Sequence, residues 1–283
     1  MSKYNWTYIG EEKETSDDKF KYICEYYGVS PEEALKLGTR SSGRKPNLPG
    51  SKTCKPVSDM TFEDIWDLKQ RDSLEDIFEF YIDQGAWSTF RQTVRHLELE
   101  YLHNIIATEI CRSGMHIVEY GCGVAPFTTS VLKKARKDDS FKISLTDVEG
   151  CEHLTFGAWK LNRIIEDRSL SNVSVDVKPV TPSTLPSYEG EVDVAISFEV
   201  FEHVPDPVMA VQNISKQMKS GGYFVENFIK LDENHLKKSG PDLDTASTLR
   251  EEYYHFLDEN FVLVGGDKPE NQPNATRVWE KVK

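Results

Sequence analysis

From residue 115 onward the chain alternates short β-rich runs with helical stretches, an order that few folds accommodate. The runs are MHIVEY, FKISLTD, VSVDV, VDVAISF and YFVENFI, and helical patterns over 127–137, 151–168 and 206–219 lie between them. Parallel strands need long crossover connections, which helices supply, so the pattern predicts a parallel sheet covered on both faces. The tail reads differently. Residues 245–259 have a helical pattern, and FVLVGG and TRVWEKV are strand-like runs joined by a polar loop, which predicts an antiparallel, hairpin-like addition to the sheet.

The front part is polar and mostly helical in pattern, with a division near residue 114. Two regions are expected: a helical substrate region over 1–113 and a sheet domain over 114–283. Residues 1–20 are charged and are expected to be loose. Ser30-Pro31-Glu32-Glu33 starts a helix, with Ser as N-cap and Pro in the first turn, and Gly38 stops it. Residues 39–57, rich in Gly, Ser, Pro and Lys, mark a loop or linker. Thr61 and Ser73 are placed to cap FEDIWDLKQR and LEDIFEFYIDQG. A long helical pattern runs from about Trp87 to Arg112, with Leu97, Leu102, Ile105, Ile106 and Ile110 mostly at helical spacing, and ends at Gly114.

Charge limits the partners. A net charge of −13 makes the chain a poor electrostatic match for DNA, RNA or anionic membranes. No apolar run approaches bilayer length and MSKYNWTYIGEEKE has no apolar leader core, so a cytoplasmic location is expected. The five cysteines are odd in number and lack paired metal spacing; they are read as free thiols, with no metal site expected.

The stretch HIVEYGCGVAPFT places Gly121 and Gly123 at the end of the first strand, where ligands of open α/β sheets bind and backbone must come close. A dinucleotide fingerprint would need a third glycine at 126, where proline stands, and no Gly-Lys-Ser/Thr follows for a phosphate loop. A structural tight turn would also account for the glycine pair. Asp147 closes the second strand, where an acid can accept hydrogen bonds from ribose hydroxyls or simply start a turn. With the glycines, the ribose reading is preferred. EVDVAISFEVFEHVPDP then carries a buried strand into Glu199, Glu202 and His203 ahead of a helix start.

Taken in order, Glu119-Tyr-Gly121-Cys-Gly123, Asp147, Asp193-Val-Ala-Ile-Ser-Phe-Glu199 with Glu202-His203-Val-Pro-Asp206, and Lys219-Ser-Gly221-Gly222-Tyr-Phe-Val resemble the motifs of class I S-adenosylmethionine-dependent methyltransferases. The resemblance covers about 114–283. It implies a Rossmann-like, seven-stranded, mostly parallel sheet with an antiparallel C-terminal strand, an N-terminal helical cap and S-adenosylmethionine as cofactor. It further implies that Gly121 and Gly123 line the methionine and ribose part, Glu119 faces the methionine ammonium through water, Asp147 holds the ribose hydroxyls, Val148 touches the adenine, and Phe198 and Glu199 border the reactive end. Two departures stand out. Ala125 replaces the usual third glycine, and the usual Asp before Leu-Pro is absent, with Thr181 four residues before Leu185 as the substitute for adenine recognition.

In this family the protein mainly aligns a nucleophile with an activated methyl and excludes water. An oxygen or nitrogen nucleophile also calls for a base. His203 is the motif-based candidate, with a histidine packed under the helix start as the other reading. On the substrate side, Arg91 and Arg95 share a helix face and could clamp a carboxylate or phosphate, or pair with nearby acids. Trp87, with Trp66, Phe78, Phe80, Tyr81 and Phe90, reads as a pocket wall or as cap core, and Glu226 and Asn227 close the fifth strand facing substrate. The preferred function is methyl transfer to O or N of a small polar metabolite: a sugar, nucleotide-linked or acidic compound. A protein or RNA methyltransferase and a nonenzymatic partner-binding module are the alternatives.

Overall fold

In the computed structural model the described residues are 16–38, 66, 73–230 and 242–282. The first described helices are α1 (Ser16–Tyr27), α2 (Pro31–Gly38), α3 (Leu74–Asp83) and α4 (Gly85–Ile110). The sheet domain follows as β1 (Met115–Tyr120), α5 (Pro126–Lys134), β2 (Phe141–Thr146), α6 (Glu152–Arg168), β3 (Val173–Val177) and β4 (Val192–Ser197). It ends with α7 (Pro207–Gln217), β5 (Met218–Glu226), α8 (Asp244–Asn260), β6 (Phe261–Gly265) and β7 (Arg277–Lys281).

The strands form one seven-stranded sheet in the order β3-β2-β1-β4-β5-β7-β6. The first five are parallel, and β7 runs antiparallel between β5 and β6. The central strands are apolar on both faces, as a doubly covered parallel sheet requires. One face buries Ile117, Ile143 and Val194 beneath Ile106 of α4, Phe127 of α5 and Leu161 of α6. The other buries Val118, Ala195 and Phe224 beneath Val211 of α7 and Tyr253 and Leu257 of α8. Because β1 pairs with both β2 and β4, successive crossovers leave it in opposite directions. That reversal opens a crevice beyond the carboxyl ends of β1 and β4.

The N-terminal helices follow their local signals. Ser30 Oγ accepts from Glu33 N at 3.2 Å, and α2 ends at Gly38. Ser73 caps α3 in a capping box closed by Asp76. The proposed cap at Thr61 lies outside the described residues. One expectation is corrected: α1 starts at Ser16, within the stretch read as loose. Phe20, Ile23 and Tyr27 are buried along one side of it, packed with Phe90 and Phe156. That burial outweighs the high local charge. The fifth strand also starts earlier than its apolar run, at Met218, and stops at Glu226.

Candidate functional site

A cavity of about 1300 Å³ occupies the crevice, walled on one side by the strand ends and on the other by α3 and α4. The turn after β1 forms its floor. Gly121 and Gly123 adopt φ of 65° and 48°, a region that costs side-chain-bearing residues steric strain. A Cβ on Gly121 would collide with the Val200 side chain, and one on Gly123 with Gln92 Oε1. Gly157 of α6 closes from below, where a Cβ would meet Gly123 O at 3.1 Å. Cys122 N donates to Thr146 O at 2.9 Å, tying the turn to the end of β2. Ala125, in place of the third glycine, still adopts the left-handed conformation, at φ 51°.

Glu119 is buried at the end of β1 and borders the cavity. Its carboxylate accepts from Phe127 N at 3.0 Å, Thr128 N at 2.9 Å and Thr128 Oγ1 at 2.5 Å, so it caps the first turn of α5. Burial raises its pKa, and the bonds from Thr128 and Phe127 hold that rise back.

Asp147 ties the glycine turn to the next wall. Its Oδ2 accepts from Gly123 N at 2.7 Å and its Oδ1 from Val148 N at 2.8 Å. His153 Nε2 lies 3.3 Å from Oδ1. Burial pushes the carboxyl pKa up, but His153 and the two amides prevail and hold it below the usual range. A carboxylate has about four acceptor positions, so capacity remains for hydroxyls of a ligand. Ligand-type atoms of Asp147, Cys151 and His153 all lie within 4.8 Å of one another, a convergence that cysteine spacing did not signal. Val148 bridges to Val180, and both line the cavity with Thr181, whose hydroxyl bonds Thr184 Oγ1 at 2.6 Å.

The segment after β4 is pinned from two sides. Glu199 adopts φ 54°, an uncommon value for a non-glycine residue. Its N–H donates to Asn227 Oδ1 at 2.6 Å, and its carboxylate pairs with Arg95 of α4. Phe198 stacks on His103 with centroids 4.9 Å apart. His203 also lines the cavity, with Nδ1 3.0 Å from Asp242 Oδ1.

Most residues singled out in the sequence therefore converge here: Glu119, Gly121, Gly123, Asp147, Val148, Thr181, Phe198, Glu199, His203, Arg91 and Arg95 all border the cavity. Three substrate-side expectations do not. Glu226 is fully buried in hydrogen bonds to Phe228 N, Tyr254 and Trp279. Trp87 is buried, with the Arg91 guanidinium 5.7 Å from its ring. Asn227 reaches the site only through Glu199. Phe78 and Tyr81 of the expected pocket wall do line the cavity, and Gln84, Ser88, Gln92, Glu202 and Asp242 line it without having been assigned there. Gln84, Ser88 and Gln92 recur every fourth residue, a polar stripe that helical spacing alone could have flagged.

Beneath the turn, the buried ammonium of Lys160 donates to Val124 O. Burial lowers its pKa from the ordinary 10.5 to about 8, opposed by Glu119. Between those two values the unfolded chain binds more protons than the folded one, so Lys160 makes stability rise with pH across that window. Lys160→Met should remove about 2 kcal/mol of that rise between pH 8 and pH 10. Urea unfolding of both proteins at pH 8 and pH 10 measures it; identical slopes would rule the linkage out.

Comparisons with known proteins follow this geometry. Residues 92–255, more than half the chain, match the family model described as a methyltransferase domain. No curated protein matches in sequence. Among solved structures, a selenomethionine-substituted CurJ carbon methyltransferase is similar at 12% identity, covering 96% of this chain and 72% of that one, with a TM-score of 0.51. PigF with SAH aligns at 13% identity over 75% of this chain and 63% of that one, TM-score 0.49. An rRNA methylase from Streptococcus thermophilus aligns at 14% identity over 65% of this chain and 95% of that one, TM-score 0.40. At such identities the likeness concerns the fold.

Proposed function

Because the chain belongs to the methyltransferase domain family, its cofactor is S-adenosylmethionine, and we propose that it methylates an oxygen or nitrogen of a small polar metabolite, such as a sugar, nucleotide-linked or acidic compound. The observation that carries this reading is the roof of the cavity. Tyr81 OH and Gln84 Nε2, from α3 and its junction with α4, are buried and have no hydrogen-bond partner among the described residues. Both residues line the cavity. A buried polar group left unpaired costs about 1–3 kcal/mol. Such atoms suit a polar ligand that enters and satisfies them.

The cofactor fits the residues present: a turn at positive φ with no side chain to block it, a carboxylate with spare acceptor capacity, and apolar Val148 beside it. Bound S-adenosylmethionine supplies a methyl on a sulfonium, already activated for displacement. In this proposal Gly121 and Gly123 admit the methionine and ribose, Glu119 holds the turn and faces the ammonium, and Asp147 accepts from the ribose hydroxyls. Thr181 and Val148 border the adenine, and Phe198 and Glu199 border the reacting end. Asn227 keeps Glu199 in place, and Trp87 backs Arg91, while Glu226 ties β5 to β7.

Residues 1–113 act as the substrate cap of a cytoplasmic enzyme. Arg91 and Arg95 supply the positive face for an anionic acceptor, and His203 stands at the acceptor side as a candidate base. The net charge of −13 supports a small acceptor over nucleic acid or a membrane. Among the described residues no helix is long and apolar enough to cross a membrane.

Tritiated-methyl transfer into deproteinised cell extract tests the reading. Label is expected in small polar compounds. Arg91→Ala should raise KM for an anionic acceptor by about 10- to 100-fold, the loss of one charged hydrogen bond, with affinity for S-adenosylhomocysteine unchanged. Label found only in protein or RNA, when these are supplied instead, would overturn the small-metabolite assignment.

A further inference from the structure

Glu202 follows the fourth strand in the short 3-10 turn over Phe201–His203 and lines the cavity. It is buried, and its Oε2 has no hydrogen-bond partner among the described residues. The hydroxyl of Tyr81, across the cavity on α3, is in the same condition. His203 lies behind, its Nε2 4.0 Å from Glu202 Oε1 and its Nδ1 3.0 Å from Asp242 Oδ1. The Tyr81 and His203 rings are 6.4 Å apart. A carboxylate that borders a cavity, with one oxygen unpaired and the other facing an imidazole, is arranged to take a proton from a guest.

We propose that Glu202, backed by the His203–Asp242 pair and faced by Tyr81, is the general base of the transfer in place of His203 itself, and that the acceptor group is a hydroxyl. This rests on the methyltransferase reading above and narrows it to a protic oxygen. The acceptor O–H bond breaks and its proton passes to Glu202 Oε2. The oxygen's electron pair forms the new bond to the methyl carbon, and the pair of the broken carbon–sulfur bond stays on sulfur, neutralising its charge. Tyr81 OH donates to the acceptor oxygen or a neighbouring hydroxyl and orients it.

The charged surroundings agree. Burial pushes the Glu202 carboxyl up to about 7, with His203 pulling it down and Asp242 and Glu199 pushing it up. An effective base at neutral pH sits in that range.

The test uses the full chain, tritiated-methyl S-adenosylmethionine and deproteinised cell extract as the acceptor pool. Wild-type incorporation should rise with pH through about 7, and the labelled linkage should be an O-methyl ether or ester. Glu202→Gln should lose about a hundredfold or more in rate while binding S-adenosylhomocysteine as the wild type does. His203→Gln should move the rise to higher pH, because the side chain that lowers the Glu202 pKa is gone. A readout in the unliganded protein is independent of acceptor. The folded state binds the extra proton between 4.5 and about 7, so stability falls as pH rises across that window. Glu202→Gln should flatten that fall. An unchanged rate and pH profile in Glu202→Gln would overturn the base assignment alone. Transfer only to nitrogen or sulfur would overturn the hydroxyl. Wild-type activity abolished by EDTA and restored by magnesium would instead assign the carboxylate to a cation. Absence of both S-adenosylhomocysteine binding and incorporation in the wild type would overturn the methyltransferase reading itself.

Discussion

Glu226→Ala is expected to cost about 3–5 kcal/mol of folding stability, the usual effect of leaving a buried charge without its partner. Glu226 and Arg277 are both fully buried, with Arg277 Nη1 3.7 Å from Glu226 Oε1. The carboxylate also accepts from Phe228 N at 2.7 Å, Tyr254 OH at 3.1 Å and Trp279 Nε1 at 3.1 Å. Arg277 spends its remaining donors on the carbonyls of Asp267, Gln272, Pro273 and Ala275 and on Tyr254 OH. Truncating the acid strands a guanidinium and three donors at once. The network joins β5 to β7 and α8, so the antiparallel edge should loosen first. A domain is stable by only about 5–15 kcal/mol, so the variant should unfold at a much lower urea midpoint. Urea titration, beside KM for acceptor, separates the two roles proposed for this residue. Unchanged stability with a raised KM would return Glu226 to the substrate side.

Asp147→Ala should weaken S-adenosylhomocysteine binding by about 1.5–3 kcal/mol, the contribution of hydrogen bonds to a charged group. The loss has two sources. In the proposed site the ribose hydroxyls lose their acceptor, and Gly123 N and Val148 N lose the carboxylate that positions them at 2.7 and 2.8 Å. His153, buried beside it and held above its ordinary pKa by Cys151 and Asp147 together, loses the second of these. Calorimetric titration of both proteins, with circular dichroism to verify folding, measures the difference. Equal affinities would remove Asp147 from the cofactor site.

Much of this was legible because it is local. Alternating Val and Ile runs marked the strands, Ser73 marked a helix start, and Gly121, Gly123, Asp147, Glu199 and His203 each closed a strand or followed one. In a parallel sheet every such end faces the same crevice, so position along the chain sufficed to bring them to one cavity. Glu226 misled for the same reason. Adjacent strand residues point to opposite faces, and where β5 ends decides whether Glu226 or its neighbour turns toward the site. Trp87 misled because α4 has no single apolar stripe. Its first half packs against α2 and α6 through Ala86 and Phe90, and its last half against the sheet through Ile106 and Ile110. Only the phase of that packing turns Gln84, Ser88 and Gln92 to the cavity and Trp87 away from it.

From the residues alone came the mostly parallel sheet, the helical front region, the glycine turn and the acid that closes the second strand, because hydrophobic period and turn chemistry act over a few residues. The tertiary structure alone decided that Arg95 pairs with Glu199, that Arg277 buries against Glu226, and that Tyr81, Glu202 and Asp242 line one cavity. Those partners are far apart in sequence. What brings them together is the packing of crossover and cap helices on a twisted sheet, a long-range outcome that no short window of residues contains.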